Sequence, residues 1–195
     1  MIIVQKYNTK LLPQWDSFIN LSNNGTLFQK QKFLAYHKHR KFKNCSVIIK
    51  YKEQIVALIP AAEIIKNNKK CFYSHPGASY GGIVIKKNIT FKLINEIIIA
   101  LEQYLNKNNF SSIFLINSPK IYYYNPNDSL EYLLGWNQYQ QSENYISHAV
   151  DLTKKGDVNQ LLSKRKSRYL QNNKLLQKIK FQKIYSAKDS KIIEQ

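Results

Sequence analysis

The spacing of apolar positions changes period several times along the chain, and each change predicts an element. Ile2-Ile3-Val4 reads as a short strand. Pro13 suits the first turn of a helix, and Trp15, Phe18 and Ile19 recur at helical spacing up to Leu21. The polar run Ser22-Asn23-Asn24-Gly25-Thr26 stops that helix. A second helix is expected from Gln29 to about Lys38, presenting Phe33, Leu34 and Tyr36. Ser46 to Tyr51 and Ile55 to Ile65 read as strands, and the tight polar link Lys52-Glu53-Gln54 predicts that they form a hairpin. Pro60, inside the second, predicts a bulge or an edge position because proline cannot donate to a ladder.

Beyond the turn Asn67-Asn68-Lys69-Lys70, two short apolar runs, Cys71-Phe72-Tyr73 and Ile83-Val84-Ile85, flank a glycine-rich stretch. Thr90 is placed to cap a helix reaching about Lys107, with Ile94, Ile97, Ile98, Leu101 and Leu105 on its buried face. Ile113-Phe114-Leu115-Ile116 is wholly apolar, the pattern of a central strand covered on both sides. An aromatic loop, Ser118 to Asn125, leads to a short helix with Asp128 as its cap and Gly135 at its end. Strands are expected at Trp136 to Gln140 and Tyr145 to Leu152. A basic helical region follows, from Asp157 to about Gln177, then a strand from Ile179 to Tyr185 and the start of a helix at Ile192. This order predicts the α/β class with a mixed sheet. It divides the chain into a first unit over 1–151 and the beginning of a second over 152–195, whose helix-helix-strand order repeats the opening of the first.

The stretch Ser74-His75-Pro76-Gly77-Ala78-Ser79-Tyr80-Gly81-Gly82 is the densest concentration of candidate chemistry. Gly81-Gly82 either leaves room for a ligand against bare backbone or merely turns a corner, with Tyr80 as a hydrogen-bonding wall or as packing. His75 is a candidate general base for an amine, since the imidazole reference pKa of about 6.5 suits that role. A lone loop histidine is also commonly structural. Arg165 and Tyr169 lie four apart on one helical face, and Arg168 offers a second cation on another. Tyr122-Tyr123-Tyr124 is a candidate stacking platform for bases, or a surface aromatic loop. There is no Walker loop, paired-carboxylate signature or nucleophile triad order.

Composition narrows the partners. Of 195 residues 44% are hydrophobic, enough for a packed core, yet no run of about 18 apolar residues exists to span a bilayer. The N-terminus lacks the features of a signal peptide, so a cytoplasmic protein is expected. The four histidines and the two cysteines, Cys45 and Cys71, form no metal-ligand spacing, and the cysteines read as free thiols. The net charge is +18, but only three residues are Arg, and abundant Lys, Ile and Asn point partly to general residue bias. The charge predicts attraction to anions. It is concentrated in residues 152–195, with 12 basic and 3 acidic side chains, a density about three times that of the rest.

The element order resembles the acyltransferase fold of the GNAT superfamily. Its tandem arrangement is similar to the Fem-type aminoacyltransferases and their FemAB-like relatives. Three stretches carry the resemblance: Trp15 to Ile19 with Asn24-Gly25-Thr26-Leu27-Phe28-Gln29; Val56-Ala57-Leu58-Ile59-Pro60 continuing into Ser74 to Gly82; and Leu162-Ser163-Lys164-Arg165-Lys166-Ser167-Arg168-Tyr169. The resemblance implies an N-acyltransferase that passes an acyl or aminoacyl group to an amine acceptor. Tyr80, Gly81 and Gly82 would form the acceptor wall, and His37 and Lys38 would face the same cleft. Arg165, Arg168 and Tyr169 would border a phosphate of acceptor or donor.

Two departures qualify it. The residues before the Thr90 helix, Lys86-Lys87-Asn88-Ile89, lack the glycine turn with which acetyl-CoA-dependent members cradle pyrophosphate. No cofactor is therefore expected on the first unit, and acyl-CoA or aminoacyl-tRNA is expected at the second. Cell-wall-directed members carry Gly-Pro and then an acidic residue where this chain has Gly81-Gly82 and Ile83-Val84-Ile85. The implied partners are a phosphorylated or amine-bearing small molecule or glycan, and tRNA. The alternative reading is a basic, non-catalytic GNAT-like module for nucleic acid or an anionic glycan. A third is a fragment without activity, since the second unit breaks off after about one strand.

Overall fold

A computed structural model describes residues 1–36, 40 and 42–144, all within one unit, Met1–His148. Its elements in chain order are β1 (Ile2–Lys6), α1 (Leu12–Leu21), α2 (Gln31–Leu34), β2 (Lys43–Asn44), β3 (Val47–Tyr51), β4 (Gln54–Ile59), β5 (Ala62–Lys66), β6 (Lys69–Ser74), β7 (Val84–Ile85), α3 (Phe91–Lys107), β8 (Ser112–Leu115) and α4 (Ser129–Trp136). The expected mixed α/β class is present. The boundary expected near 151, the second unit and the strand from Tyr145 lie outside the described residues.

The strands form two four-stranded sheets. One, in the order β1-β3-β4-β7, is antiparallel throughout; the other, β2-β5-β6-β8, ends in a parallel pair, β6 with β8. The first sheet is buried on both faces, and its side chains alternate between them as a pleated strand requires. Val47, Ile49, Ala57, Ile59, Ile83 and Ile85 join the core packed with α3 and α4. Ile48, Leu58 and Val84 point the other way, onto Trp15 and Ile19 of α1. Double burial is why these strands read as continuous apolar runs. Between Ile49 and Lys50 the register shifts, leaving Val56 as the extra residue of a bulge in β4.

Pro60 marks neither a bulge nor a sheet edge. It is the corner at which the second arm of the hairpin leaves the first sheet, as β4, and enters the other, as β5. The backbone groups at that corner are satisfied locally: Cys45 N–H donates to Ala61 O at 2.9 Å, Ala61 N–H to the Ser46 hydroxyl at 3.0 Å, and the Ser74 hydroxyl to Pro60 O.

Thr90 caps α3 as expected, its hydroxyl accepting from Leu93 N–H at 3.3 Å. Three other expectations are corrected. The second helix is one turn, Gln31–Leu34, preceded by a 3₁₀ turn over Leu27–Gln29. β8 sits at the end of its sheet and is only half-buried, so its apolar run does not denote a central strand. Trp136 to Gln140 is not a strand: α4 runs through Gly135 to Trp136, and the chain then turns with Gln138 at φ 65°. Asp128 occupies the cap position without a capping bond and pairs instead with Lys120.

Gly135 is exposed on α4, and a Cβ there meets nothing within 4 Å. Gly135→Ala is therefore expected to stabilise the unit by about 0.5–1 kcal/mol through a lower unfolded-state entropy. A rise in the urea unfolding midpoint checks this, and a fall would mean that the helix does not continue through this residue.

Candidate functional site

A polar knot built around the loop after α1 organises the region. Asn24 is almost fully buried, and its amide acts as a missing strand against β7: Nδ2 donates to Ile83 O at 2.8 Å, and Oδ1 accepts from Ile85 N–H at 2.9 Å. Asn23 N–H adds a bond to Ile85 O at 2.8 Å, so the open edge of the first sheet is closed by this loop. Gln29, fully buried, forms a capping box with Thr26 and reaches across to Gly81 O at 3.1 Å and the Ser118 hydroxyl at 2.7 Å. Ser118 in turn donates to Asn24 O at 2.9 Å. Trp15 Nε1 donates to Gln29 O at 2.9 Å and ties the knot to α1. These residues stand in the stretch that carries the resemblance, but the pairing partners lie 52 to 94 positions away, where no local pattern points to them.

Against this frame the glycine run crosses the C-terminal ends of the parallel pair. Ile116 N–H donates to Ser74 O at 3.2 Å, and Gly81 N–H donates to Ile116 O at 2.8 Å. The space beside both glycines is taken by the protein itself. A Cβ on Gly81 would meet His75 N and Ser74 C at 2.9 Å, and one on Gly82 would meet Asn117 Cα at 2.7 Å. Gly82 also adopts φ +64°. Of the two readings of Gly81-Gly82, the structure places them at a closely packed corner. Tyr80 is buried beside them, edge-on to Phe28 at 4.8 Å and stacked with Tyr122 at 6.0 Å. Burial raises its phenol pKa; a hydrogen bond with Thr26 opposes this and Tyr122 adds to it. Tyr80 is thus a neutral hydrogen-bonding group throughout the neutral range.

His75 is buried, and its Nδ1 accepts from Gly77 N–H at 3.0 Å, with Phe42 edge-on at 5.5 Å. That bond places the proton of a neutral ring on Nε2. In this arrangement His75 holds the turn through Pro76 and Gly77, with the Nδ1 lone pair engaged by the Gly77 N–H. The tyrosine triplet does not form a single platform. Tyr122 stacks on Tyr80, Tyr123 is buried with its hydroxyl on Glu131 at 3.2 Å, and Tyr124 lies under Lys87 Nζ at 3.7 Å. His37, Lys38, Arg165, Arg168 and Tyr169 lie outside the described residues.

A cleft borders the start of the glycine run. It has a volume of about 790 Å³ and is lined by Asp16 of α1, by Leu27, Phe28, Lys30, Lys32, Phe33 and Tyr36, and by Pro76, Gly77, Ala78 and Ser79. Phe28 and Phe33 meet edge-to-face at 5.1 Å in its wall. Asp16 Oδ1 is buried and has no hydrogen-bond partner. The charge of Asp16 adds to burial in raising the pKa of Tyr7. Asp16, Phe28 and Phe33 were visible only as parts of a motif, and nothing in their spacing announced a shared cavity. The start of α3 does not fit a pyrophosphate: the Thr90 hydroxyl takes the Leu93 N–H, and the preceding residues contain no glycine.

No family model and no curated protein matches this chain. Loosely similar solved structures exist. A possible acetyltransferase from Clostridium difficile 630 is 11% identical over 77% of this chain and 99% of its own, with a TM-score of 0.44. An aminoglycoside acetyltransferase from an uncultured soil metagenomic sample, in complex with sisomicin, is 14% identical over 77% and 95%, at 0.46. An aminoglycoside N-acetyltransferase in complex with CoA is 11% identical over 77% and 95%, at 0.49.

Proposed function

We propose that this chain is an N-acyltransferase of GNAT type, with the FemAB-like arrangement its element order resembles, and that the cleft receives the amine acceptor. The observation that carries the reading is the position of the cleft. It is bounded by the loop that leaves the C-terminal end of β6, one strand of the parallel pair, and ligands of α/β sheets gather at such strand ends. The loosely similar structures are acetyltransferases, which agrees with this reading without carrying it.

The chemistry needs no covalent enzyme intermediate. The nitrogen lone pair of the neutral amine attacks the carbonyl carbon of an activated acyl donor. The bond from that carbon to sulfur or oxygen breaks, and the proton shed by nitrogen ends on the departing thiol or hydroxyl. Positioning of the acceptor supplies most of the acceleration. Tyr80, Gly81 and Gly82 shape the acceptor side from behind the cleft wall, and His75 fixes the loop. The donor is acyl-CoA or aminoacyl-tRNA, with Arg165, Arg168 and Tyr169 proposed for its phosphates and His37 and Lys38 for the acceptor side. The acceptor is an amine-bearing small molecule or glycan, and the proposed compartment is the cytoplasm.

The test is incubation of the full chain with acetyl-CoA, longer acyl-CoA and aminoacyl-tRNA against an amine panel, with amide products read by mass spectrometry. An amide product from one donor class is expected, and its absence from both overturns the reading. The net charge of +18 favours the second reading, a binding module for nucleic acid or an anionic glycan. In that case nucleic-acid affinity falls steeply and linearly on a log–log salt plot, with no turnover.

A further inference from the structure

We infer that an aromatic row outside the cleft, Phe91 of α3 with Tyr132 and Trp136 of α4, is a binding strip for a neutral oligosaccharide. The row shares no residue with the cleft, and the inference does not depend on acyl transfer.

Both helices bury an aliphatic face: α3 through Ile94, Ile97 and Ile98, α4 through Leu130, Leu133 and Leu134. Tyr132 and Trp136, four apart on α4, share the opposite face, and Phe91 opens α3 beside them. Phe91 is 51% exposed, Tyr132 58% and Trp136 68%. The Phe91 and Tyr132 rings have centroids 5.9 Å apart; those of Tyr132 and Trp136 are 6.4 Å apart, with planes within 15° of parallel. Three adjoining rings left outside the core form a patch of the kind that meets a ligand. An amide pair lies alongside. Asn95 is one turn beyond Phe91, and Asn137 follows Trp136. Asn137 Nδ2 donates to Asn95 Oδ1 at 2.8 Å and to Leu133 O at 2.7 Å, which fixes both amides. Asn95 Nδ2 and Asn137 Oδ1 make no hydrogen bond within the described residues. A pyranose presents C–H groups on its face and hydroxyls at its rim. The electron-rich ring faces suit the first, and the remaining amide donor and acceptor suit the second.

Charge and area disfavour other occupants. The two helices carry Lys92 and Lys107 against Glu96, Glu102 and Glu131, a net charge of −1 in a chain of +18, so the row is a poor seat for nucleic acid. The exposed parts of the three rings amount to roughly 350 Å². That is under half of the about 800 Å² that each partner buries in a stable protein complex, so a second copy of the chain would have to bury charged surface as well.

The chain has two tryptophans, and Trp15 is fully buried, so acrylamide quenching of the full chain reports on Trp136. Acrylamide is expected to reach it. Cellotriose, maltotriose and triacetylchitotriose are then titrated, with sorbitol as a polyol that lacks a ring face and oligothymidylate as the nucleic acid. At least one trisaccharide is expected to shift the Trp136 indole and Asn95 amide NMR signals, and sorbitol and oligothymidylate are expected to leave them in place. Tyr132→Ala is expected to weaken that trisaccharide about fivefold or more while the melting temperature is kept. Trp136→Phe is expected to retain the Asn95 shift that Trp136→Ala loses. A Trp136 that acrylamide cannot reach would mean that other parts of the chain cover the row, and it overturns the inference. So does a response to no trisaccharide, a Trp136 shift from oligothymidylate instead, a Trp136 signal that changes on dilution and so marks a second copy, or trisaccharide binding that Tyr132→Ala and Trp136→Ala leave unchanged. None of these readouts needs an acyl donor: failure of acyl transfer leaves the strip standing, and failure of the strip leaves acyl transfer.

Discussion

Gly82→Ala lowers the stability of the described unit by about 3 kcal/mol, the sum of a left-handed backbone penalty of about 1 kcal/mol and an overpacking cost of about 2 kcal/mol. The added methyl would lie 2.7 Å from Asn117 Cα and 3.0 Å from Ile116 O, and it would press on the Asn117 side-chain oxygen that accepts from Ile83 N–H at 3.4 Å. Two of these contacts are backbone at the end of β8, where the chain has no side-chain torsion with which to yield. At φ +64° any residue with a Cβ is strained even before these contacts. For a unit of this size the melting temperature falls by roughly 10 °C. Differential scanning calorimetry of the variant checks the figure. An unchanged melting temperature would mean that the strands part easily at this corner, and that Gly81-Gly82 faces open space rather than packed backbone.

The contrast with Gly135→Ala shows what was legible beforehand. Both glycines were recognisable as punctuation, and a glycine at a helix end and one in a corner look alike in sequence. Their difference lies in what surrounds them, nothing for Gly135 and the end of β8 for Gly82. The same limit explains the other departures. The α3 pattern was readable because cap and apolar face are local properties, and Thr90 with Ile94 to Leu105 behaves as its spacing requires. The apolar runs of β3 and β4 were readable as strands. That β4 and β5 belong to different sheets depends on how Ser46 and Ser74 satisfy the Pro60–Ala61 corner, and those residues are 14 or 15 positions away. β8 reads as a central strand because it is apolar, but its place in the sheet is set by pairing with β6 alone. In the candidate site, Tyr80 and His75 stood out by chemistry. Asp16 did not, because a carboxylate on an amphipathic helix ordinarily faces water, and only the fold shows its oxygen buried beside a cleft.

Gln29→Leu is expected to cost still more, about 4 kcal/mol, because it breaks a buried network rather than a single contact. Leucine matches the volume and fits the apolar surroundings, so the cost comes from the hydrogen bonds. The side-chain oxygen of Gln29 accepts from Thr26 N–H at 2.7 Å and from the Thr26 hydroxyl at 2.8 Å; its nitrogen serves Gly81 O and the Ser118 hydroxyl. Removing them takes partners from the buried Gly81 carbonyl and Ser118 hydroxyl and from the part-buried Thr26, at about 1–3 kcal/mol for each group fully desolvated. Ser118→Ala is milder, at about 1 kcal/mol: it removes the bond to Asn24 O and leaves the Gln29 amide its bond to Gly81 O. Since the two residues share a bond, the double variant should lose less than the sum, with a coupling of about 1 kcal/mol. Urea unfolding of the four proteins measures all of these at once. Strict additivity would show that Gln29 and Ser118 do not act together. A mild Gln29→Leu phenotype would show that the loop after α1 is not what holds the glycine run in place. If the network does hold it, the cleft wall at Phe28 and the loop at Pro76 to Ser79 depend on one buried glutamine, and Gln29→Leu should also shift the amide NMR signals of Phe28, Gly77 and Ala78 at temperatures well below its own melting point.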